Sequence, residues 1–197
     1  QGGPKYDPLV SSSRFGFSVP RGDRLEEGAF DSCLAVSEAG EDRWHTQRGF
    51  DACEIAPDHT WRRFSPMRGV EVEVTVTPSF PSHRREYRIT TDRPIDAVDG
   101  GFAIPAEKGG QQYGEDMVEW EPRGVAARFP WGMSAIRCEE GGGEPLLVAP
   151  WPNTNLLAPL TRIPSIRWRL GPGEHRLVTW VTGDSSAFPA FTRPETL

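Results

Sequence analysis

The sequence has little of what usually announces a function. Three cysteines, Cys33, Cys53 and Cys138, are an odd number at wide separations, so they do not read as a secreted disulfide framework, and buried free thiols are the default expectation. No apolar run approaches the ~18 residues of a bilayer span, so no membrane partner is expected. No signal peptide and no methionine stand at Gln1, so a tag, a leader or a whole domain is expected to have been removed upstream. With the unspaced cysteines, this favours a cytoplasmic setting. Lysine is nearly absent: Lys5 and Lys108 are the only two, and every other basic residue is arginine. The planar guanidinium suits paired bonds to carboxylates, although a base-composition bias gives the same pattern and is the simpler reading. The net charge of −6, from 22 basic and 28 acidic groups, argues against nucleic acid, whose binding rests on a basic surface.

Catalytic motifs are missing as well. There is no G-x-S-x-G elbow, no H-E-x-x-H and no glycine loop of the phosphate-binding kind. The histidines, His45, His59, His83 and His175, lie far apart. Cys53 and His59 are the nearest thing to a metal pair, and ordinary surface or core roles explain them more simply. Carboxylates adjoin at Glu26-Glu27, Glu115-Asp116 and Glu139-Glu140. Neighbours on a strand point to opposite faces, so adjacency alone makes no acid/base pair. No catalytic residue, metal site or cofactor is assigned.

What the chain does have is turn formers and aromatics. Its 21 glycines and 19 prolines are spread between short apolar runs, which reads as many tight turns rather than disorder. Ten Phe, seven Trp and three Tyr supply the large apolar area a core needs despite a mean hydropathy of −0.51. Residues 1–13 are rich in Gly, Pro and Ser and read as a linker or docked tail, with one domain over 14–197.

The clearest strand is Val70 to Thr77, where four valines fall on one face and Glu71, Glu73, Thr75 and Thr77 on the other. His83 to Thr91 alternates with Tyr87 and Ile89 inward. Ile95 to Ile104 is interrupted at Asp99-Gly100-Gly101, which reads as a bulge or turn. Met117 to Trp120 and Gly124 to Phe129 form a hairpin. Met133 to Cys138 runs into the Gly141-Gly142-Gly143 turn, followed by Leu146 to Trp151. Ile166, Trp168 and Leu170 alternate with Arg167 and Arg169, and His175 to Thr182 closes the series. Residues 25–38 fit a helix through Leu25, Ala29, Cys33 and Val36, or a strand through Phe30, Ser32, Leu34 and Val36. Gly28 and the lack of an N-cap favour the strand. Roughly ten to twelve strands spaced in this way predict an all-β fold, a large antiparallel β-sandwich of supersandwich type.

Trp168 and Trp180 lie in apolar runs and are expected in the core, whereas Trp131 and Trp151 sit at turns. Asn153 and Asn155 are the only asparagines and stand almost together, as a turn, a backbone anchor or a polar ligand site requires.

Four segments, RFGFSVPRG (14–22), LEEGAFDSCLAVSE (25–38), GGFAI (100–104) and PNTNLLAPLTRIPSI (152–166), resemble the C-terminal half of the domain of unknown function 2264 family. The resemblance runs over nearly all of the chain from Arg14. It departs at Leu160, where an arginine is expected before the threonine. It implies a C-terminal β-sandwich packed on an N-terminal (α/α) toroid, an arrangement shared with polysaccharide lyases and some glycoside hydrolases. It also implies a carbohydrate-processing parent, since some relatives are placed among glycoside hydrolases acting on uronic acid sugars. No long amphipathic helix for a toroid occurs here, so the catalytic groups are expected outside this chain.

On this reading the sandwich has a structural and cleft-edge role, its partners being the helical toroid and an oligo- or polysaccharide. Arg21, Trp151, Asn153, Asn155 and Arg162 are the substrate-binding candidates, the arginines being suited to a uronate carboxylate. Two alternatives stand beside it. An autonomous carbohydrate-binding module requires a row of exposed aromatics, and a self-contained hydrolase or lyase requires converging ionisable groups in a pocket.

Overall fold

Alternating apolar residues make strands only where a second apolar surface covers them, and here two antiparallel sheets cover each other. The computed structural model describes residues 34–41, 44–46, 50–79, 82–102, 104–105, 107–108, 111–112, 117–130, 132–148 and 161–183. In chain order the strands are β1 (Leu34–Glu38), β2 (His45–Thr46), β3 (Ala52–Ile55), β4 (Thr60–Met67), β5 (Val70–Ser79), β6 (Ser82–Thr91), β7 (Ile95–Gly100) and β8 (Ile104–Pro105). There follow β9 (Glu107–Lys108), β10 (Gln111–Gln112), β11 (Val118–Glu121), β12 (Gly124–Phe129), β13 (Gly132–Glu140), β14 (Glu144–Val148), β15 (Thr161–Leu170) and β16 (Gly173–Thr182). Four of these have two residues, which leaves twelve longer strands, and no helix occurs among the described residues. The fold is an all-β antiparallel sandwich.

One sheet has six strands in the order β14-β15-β7-β1-β2, with β8 pairing against β15. The other has eight in the order β11-β12-β13-β16-β6-β5-β4-β3, and β9 and β10 form a separate two-stranded ribbon. Between the sheets lies the main core, which includes Val36, Val72, Ile89, Ile95, Ile136, Ile166, Trp168 and Leu177. The valine face of β5 points into it as expected, with Val70, Val72 and Val74 buried and Val76 half-buried where the strand runs out past its cover.

The described part of 25–38 is a strand: Leu34–Glu38 pairs with β7, and 25–33 lies outside the described residues. The hairpin of β11 and β12 closes through Pro122 and Arg123. Three expectations are corrected. No turn or bulge interrupts Asp99-Gly100, because β7 continues in register to Gly100, with Asp99 opposite Leu34 on one side and Ile166 on the other. Cys53 is exposed on the edge strand β3, while Cys138 is buried. Trp180 is half-buried on the outer face of the eight-stranded sheet, where it packs on Ala126, Met133 and Ala135, with the Arg137 guanidinium 5.4 Å from its ring centroid. A strand has two faces, and on β16 the inner one is taken by Leu177, Thr179 and Val181. The 13/14 domain boundary lies outside the described residues.

The glycine-rich turn carries the chain from one sheet to the other. Gly141 and Gly142 have φ of 100° and 65°, the region that favours glycine. A Cβ on Gly143 would stand 2.3 Å from Ile166 Cγ2 and 2.5 Å from Trp168 Nε1, so the turn fits only because it has no side chain there.

Candidate functional site

The space between the sheets is apolar at one end and polar at the other. The polar end is where β6 and β15 begin and where β7 and β16 finish. It is also where the chain enters β1 at Leu34, leaves β14 at Val148, enters β15 at Thr161 and leaves β16 at Thr182.

Period-two alternation builds the polar end. On β6 the inner face reads His83, Arg85, Tyr87, Ile89, and on β16 it reads Leu177, Thr179, Val181. On β7 the inner face reads Ile95, Ala97, Asp99, so the last position puts a carboxylate opposite the arginine. Asp99 is 0% exposed and Arg85 3%. Arg85 Nη1 donates to Asp99 Oδ1 at 2.6 Å and to the Gly100 carbonyl at 2.8 Å. Tyr87 donates its hydroxyl to Oδ1 at 2.9 Å, and Thr179 Oγ1 donates to Oδ2 at 2.6 Å. Arg85 Nε donates to His83 Nε2 at 2.9 Å; a guanidinium can only donate, so the His83 proton sits on Nδ1. Phe102 closes over His83, with ring centroids 5.4 Å apart and the planes at 68°.

The electrostatics follow from this arrangement. Burial is the largest influence and works against the Arg85 charge, but Asp99 and Tyr87 together outweigh it and hold the guanidinium above its usual range. Burial, then the Asp99 charge, pushes the Tyr87 hydroxyl up. Burial, reinforced by the Arg85 charge, lowers His83 to about 3. Near neutral pH the His83 imidazole and the Tyr87 hydroxyl are therefore neutral beside the Arg85–Asp99 pair. Through Asp99 the cluster ties β7 of one sheet to β6 and β16 of the other.

Of the sequence-derived site residues, Arg21, Trp151, Asn153 and Asn155 lie outside the described residues. Arg162 is in β15, its backbone paired with Ile104, at the polar end. Sequence reasoning passed over Arg85, Asp99 and Thr179, although the alternation that placed Tyr87 and Ile89 inward places Arg85 with them. Two other hollows lie away from this end. One of about 560 Å³ is formed by Ser65 and Met67 to Glu71 with Thr90 to Asp92, where β4 turns into β5. The other, about 480 Å³, lies on the outer face of the eight-stranded sheet among Glu71, Glu73, Arg88, Glu174 and Arg176. Among the described residues no group of three His, Cys, Asp or Glu side chains could hold a metal. His59 bonds instead to its neighbour Asp58 at 2.9 Å. The described large apolar side chains that stand exposed, Phe50, Ile55 and Trp120, lie at opposite margins of the eight-stranded sheet and make no aromatic row.

The model of the DUF2264 C-terminal domain matches residues 1–192. The chain belongs to this family. No curated protein matches the sequence. The fold of this DUF2264 C-terminal domain is similar to part of a 4-alpha-glucanotransferase from Thermococcus litoralis, with a TM-score of 0.52 and 8% identity, covering 79% of this chain and 28% of that one. It is also similar to part of a heparinase III, with a TM-score of 0.50 and 9% identity, covering 75% of this chain and 23% of that one. A second heparinase III gives a TM-score of 0.52 at 7% identity, covering 76% and 23% respectively. At these identities the likeness is one of fold. The DUF2264 C-terminal domain spans about a quarter of the length of the chains it resembles.

Proposed function

We propose that this chain is the C-terminal sandwich of a carbohydrate-active protein of the glycoside hydrolase kind, acting on uronic acid glycans. In it the sandwich braces the edge of a cleft whose reactive groups belong to an N-terminal helical toroid. The observation that carries the reading is the family match over residues 1–192. Two further facts support it. The described chain enters β1 and passes from β14 to β15 at one end, so the segments before Leu34 and between Val148 and Thr161 both join the body there. The polar cluster at that end ties the two sheets together through Asp99, bonded by Arg85, Tyr87 and Thr179, as a support should. Arg21, Asn153, Asn155 and Arg162 would be the residues nearest the sugar, with Trp151 as a stacking face.

The test compares the 197-residue chain with the longer protein containing it. The chain alone should not release reducing ends from glucuronide or galacturonide oligosaccharides, whereas the longer protein should. Arg162→Ala in the longer protein should raise KM more than it lowers kcat. Turnover of a uronate glycan by the purified 197-residue chain would sink the proposal. A binding module is the second outcome of the same experiment, read by titration calorimetry: heat on adding oligosaccharide to the chain alone would favour it, though the described exposed aromatics form no platform.

A further inference from the structure

The inner face of the eight-stranded sheet loses its cover strand by strand toward one margin. Tyr87, Val74, Arg62 and Cys53 stand opposite one another on β6, β5, β4 and β3. Tyr87 and Val74 are buried, Arg62 is half-buried and Cys53 is exposed. The next row toward the polar end runs Arg85, Val76, Thr60, Ile55, and exposure climbs along it from 3% at Arg85 to 82% at Ile55. Both rows face the other sheet. There, however, β1 and β2 pack against β4, while β3 packs chiefly on β4. The edge strand β3 therefore overhangs the six-stranded sheet. Phe50, just before β3 and 44% exposed, lies beside Arg62, whose guanidinium carbon is 5.5 Å from its ring centroid. Phe50, Cys53 and Ile55 thus form a bare apolar strip along the sheet margin.

Apolar side chains on an unprotected edge strand invite association, and a protein that keeps them usually covers them. A second copy of the chain is a poor cover. Joining two copies edge to edge through β3 would set Asp51, Glu54 and Asp58 of each along one seam, where like charges oppose pairing. The path of the chain points to a different cover. β1 starts at the polar end, with Leu34 opposite Asp99, and it packs against β4, the neighbour of β3. Ile55 ends β3 at that same end, in the row of Arg85. The chain before Leu34 therefore reaches the body at the corner where the strip lies. The solved chains of similar fold also carry most of their length outside the part that matches. Resting on the C-terminal-domain reading above, we propose that Phe50, Cys53 and Ile55 are the docking surface for the N-terminal part of the longer protein. That part lays an apolar face over β3 and completes the cover that the six-stranded sheet leaves unfinished.

The Cys53 thiol reads this surface directly and needs no substrate, so the result is separate from any test of turnover. The probe is a water-soluble disulfide reagent, with the modified peptide identified by mass spectrometry. Cys53 should react quickly in the 197-residue chain and roughly ten-fold or more slowly in the longer protein. Ile55→Asp in the longer protein should bring the rate back toward that of the chain alone. Trp120→Asp, at the opposite margin of the sheet, should leave the protection in place. In the 197-residue chain Ile55→Asp should not move the melting curve, because the side chain is already in water. Hydrogen exchange across β3 gives the same comparison on the unaltered proteins. Equal Cys53 rates in the chain and the longer protein would overturn the proposal. So would slow labelling of the chain alone, or protection that grows with chain concentration, since the cover would then be the chain itself or a second copy.

Discussion

Arg85 of β6 and Asp99 of β7 meet across the gap between the sheets at 2.6 Å, although their neighbours along the same faces, Ile89 and Ile95, belong to the apolar core. Each charge was removed from water by the hydrophobic burial around it. The pair is tolerable because the Asp99 carboxylate takes three further-strengthening donors: the guanidinium, Tyr87 and Thr179.

Breaking the pair on one side should therefore be severe. Asp99→Asn leaves an arginine buried without a counter-charge, at a cost of about 3–5 kcal/mol. Arg85→Met in the wild-type background should cost a similar amount, since it strands the carboxylate. The double variant Arg85→Met, Asp99→Asn should recover much of the loss. Urea unfolding of the four proteins measures this, and strictly additive losses would show that the two side chains are not coupled.

Stability should fall in mild acid because of His83. Its folded pKa of about 3 lies below the ordinary 6.5, so the unfolded chain binds the extra proton first. The neutral imidazole thus contributes stability that is complete above pH 6.5 and is lost as pH falls through the window down to about 3. His83→Gln should flatten the stability profile between these limits by on the order of a few kcal/mol. An unchanged slope in that variant would mean that His83 is not the titrating group.

The Gly141-Gly142-Gly143 turn should not accept side chains at its last position. Gly143→Ala must push a methyl against Ile166 Cγ2 and the Trp168 indole, both buried, for a loss of about 1–3 kcal/mol. Gly171→Ala is the control, since a Cβ at Gly171 would meet nothing within 4 Å. The two melting curves, compared with the wild type, should separate.

The two described thiols should react very differently. In a Cys33→Ser background, a water-soluble disulfide reagent should modify Cys53 quickly and Cys138 only on unfolding, because Cys138 Sγ is buried and bonded to the Glu140 carbonyl and the Gly143 N–H. Equal rates at both sites in native buffer would contradict this placement.

Much of this architecture was legible from residue spacing. A strand shows its neighbours to opposite sides, so the valines of Val70–Val76 and the row Ile166, Trp168, Leu170 announced which face is covered. Trp180 misled, because membership of an apolar run does not say which of two sheet faces a residue occupies. Asp99 misled too: a carboxylate followed by two glycines is the composition of a turn, and nothing local tells that an arginine fourteen residues earlier waits opposite it. Arg162, a candidate read from sequence, has its backbone in β15 at the polar end, while Arg85, Asp99 and Thr179 came to notice only in the tertiary structure.

Local physics thus settled the strand pattern, the glycine turns and the all-β class by itself, since alternation and backbone freedom act within a few residues. Which strands became neighbours was settled only when two sheets closed on each other. That step made a buried, charge-balanced cluster from residues far apart in the chain, Thr179 and its partner Asp99 being eighty positions apart. Sequence spacing carries no record of such a meeting, because what brings those groups together is the burial of the apolar surface around them.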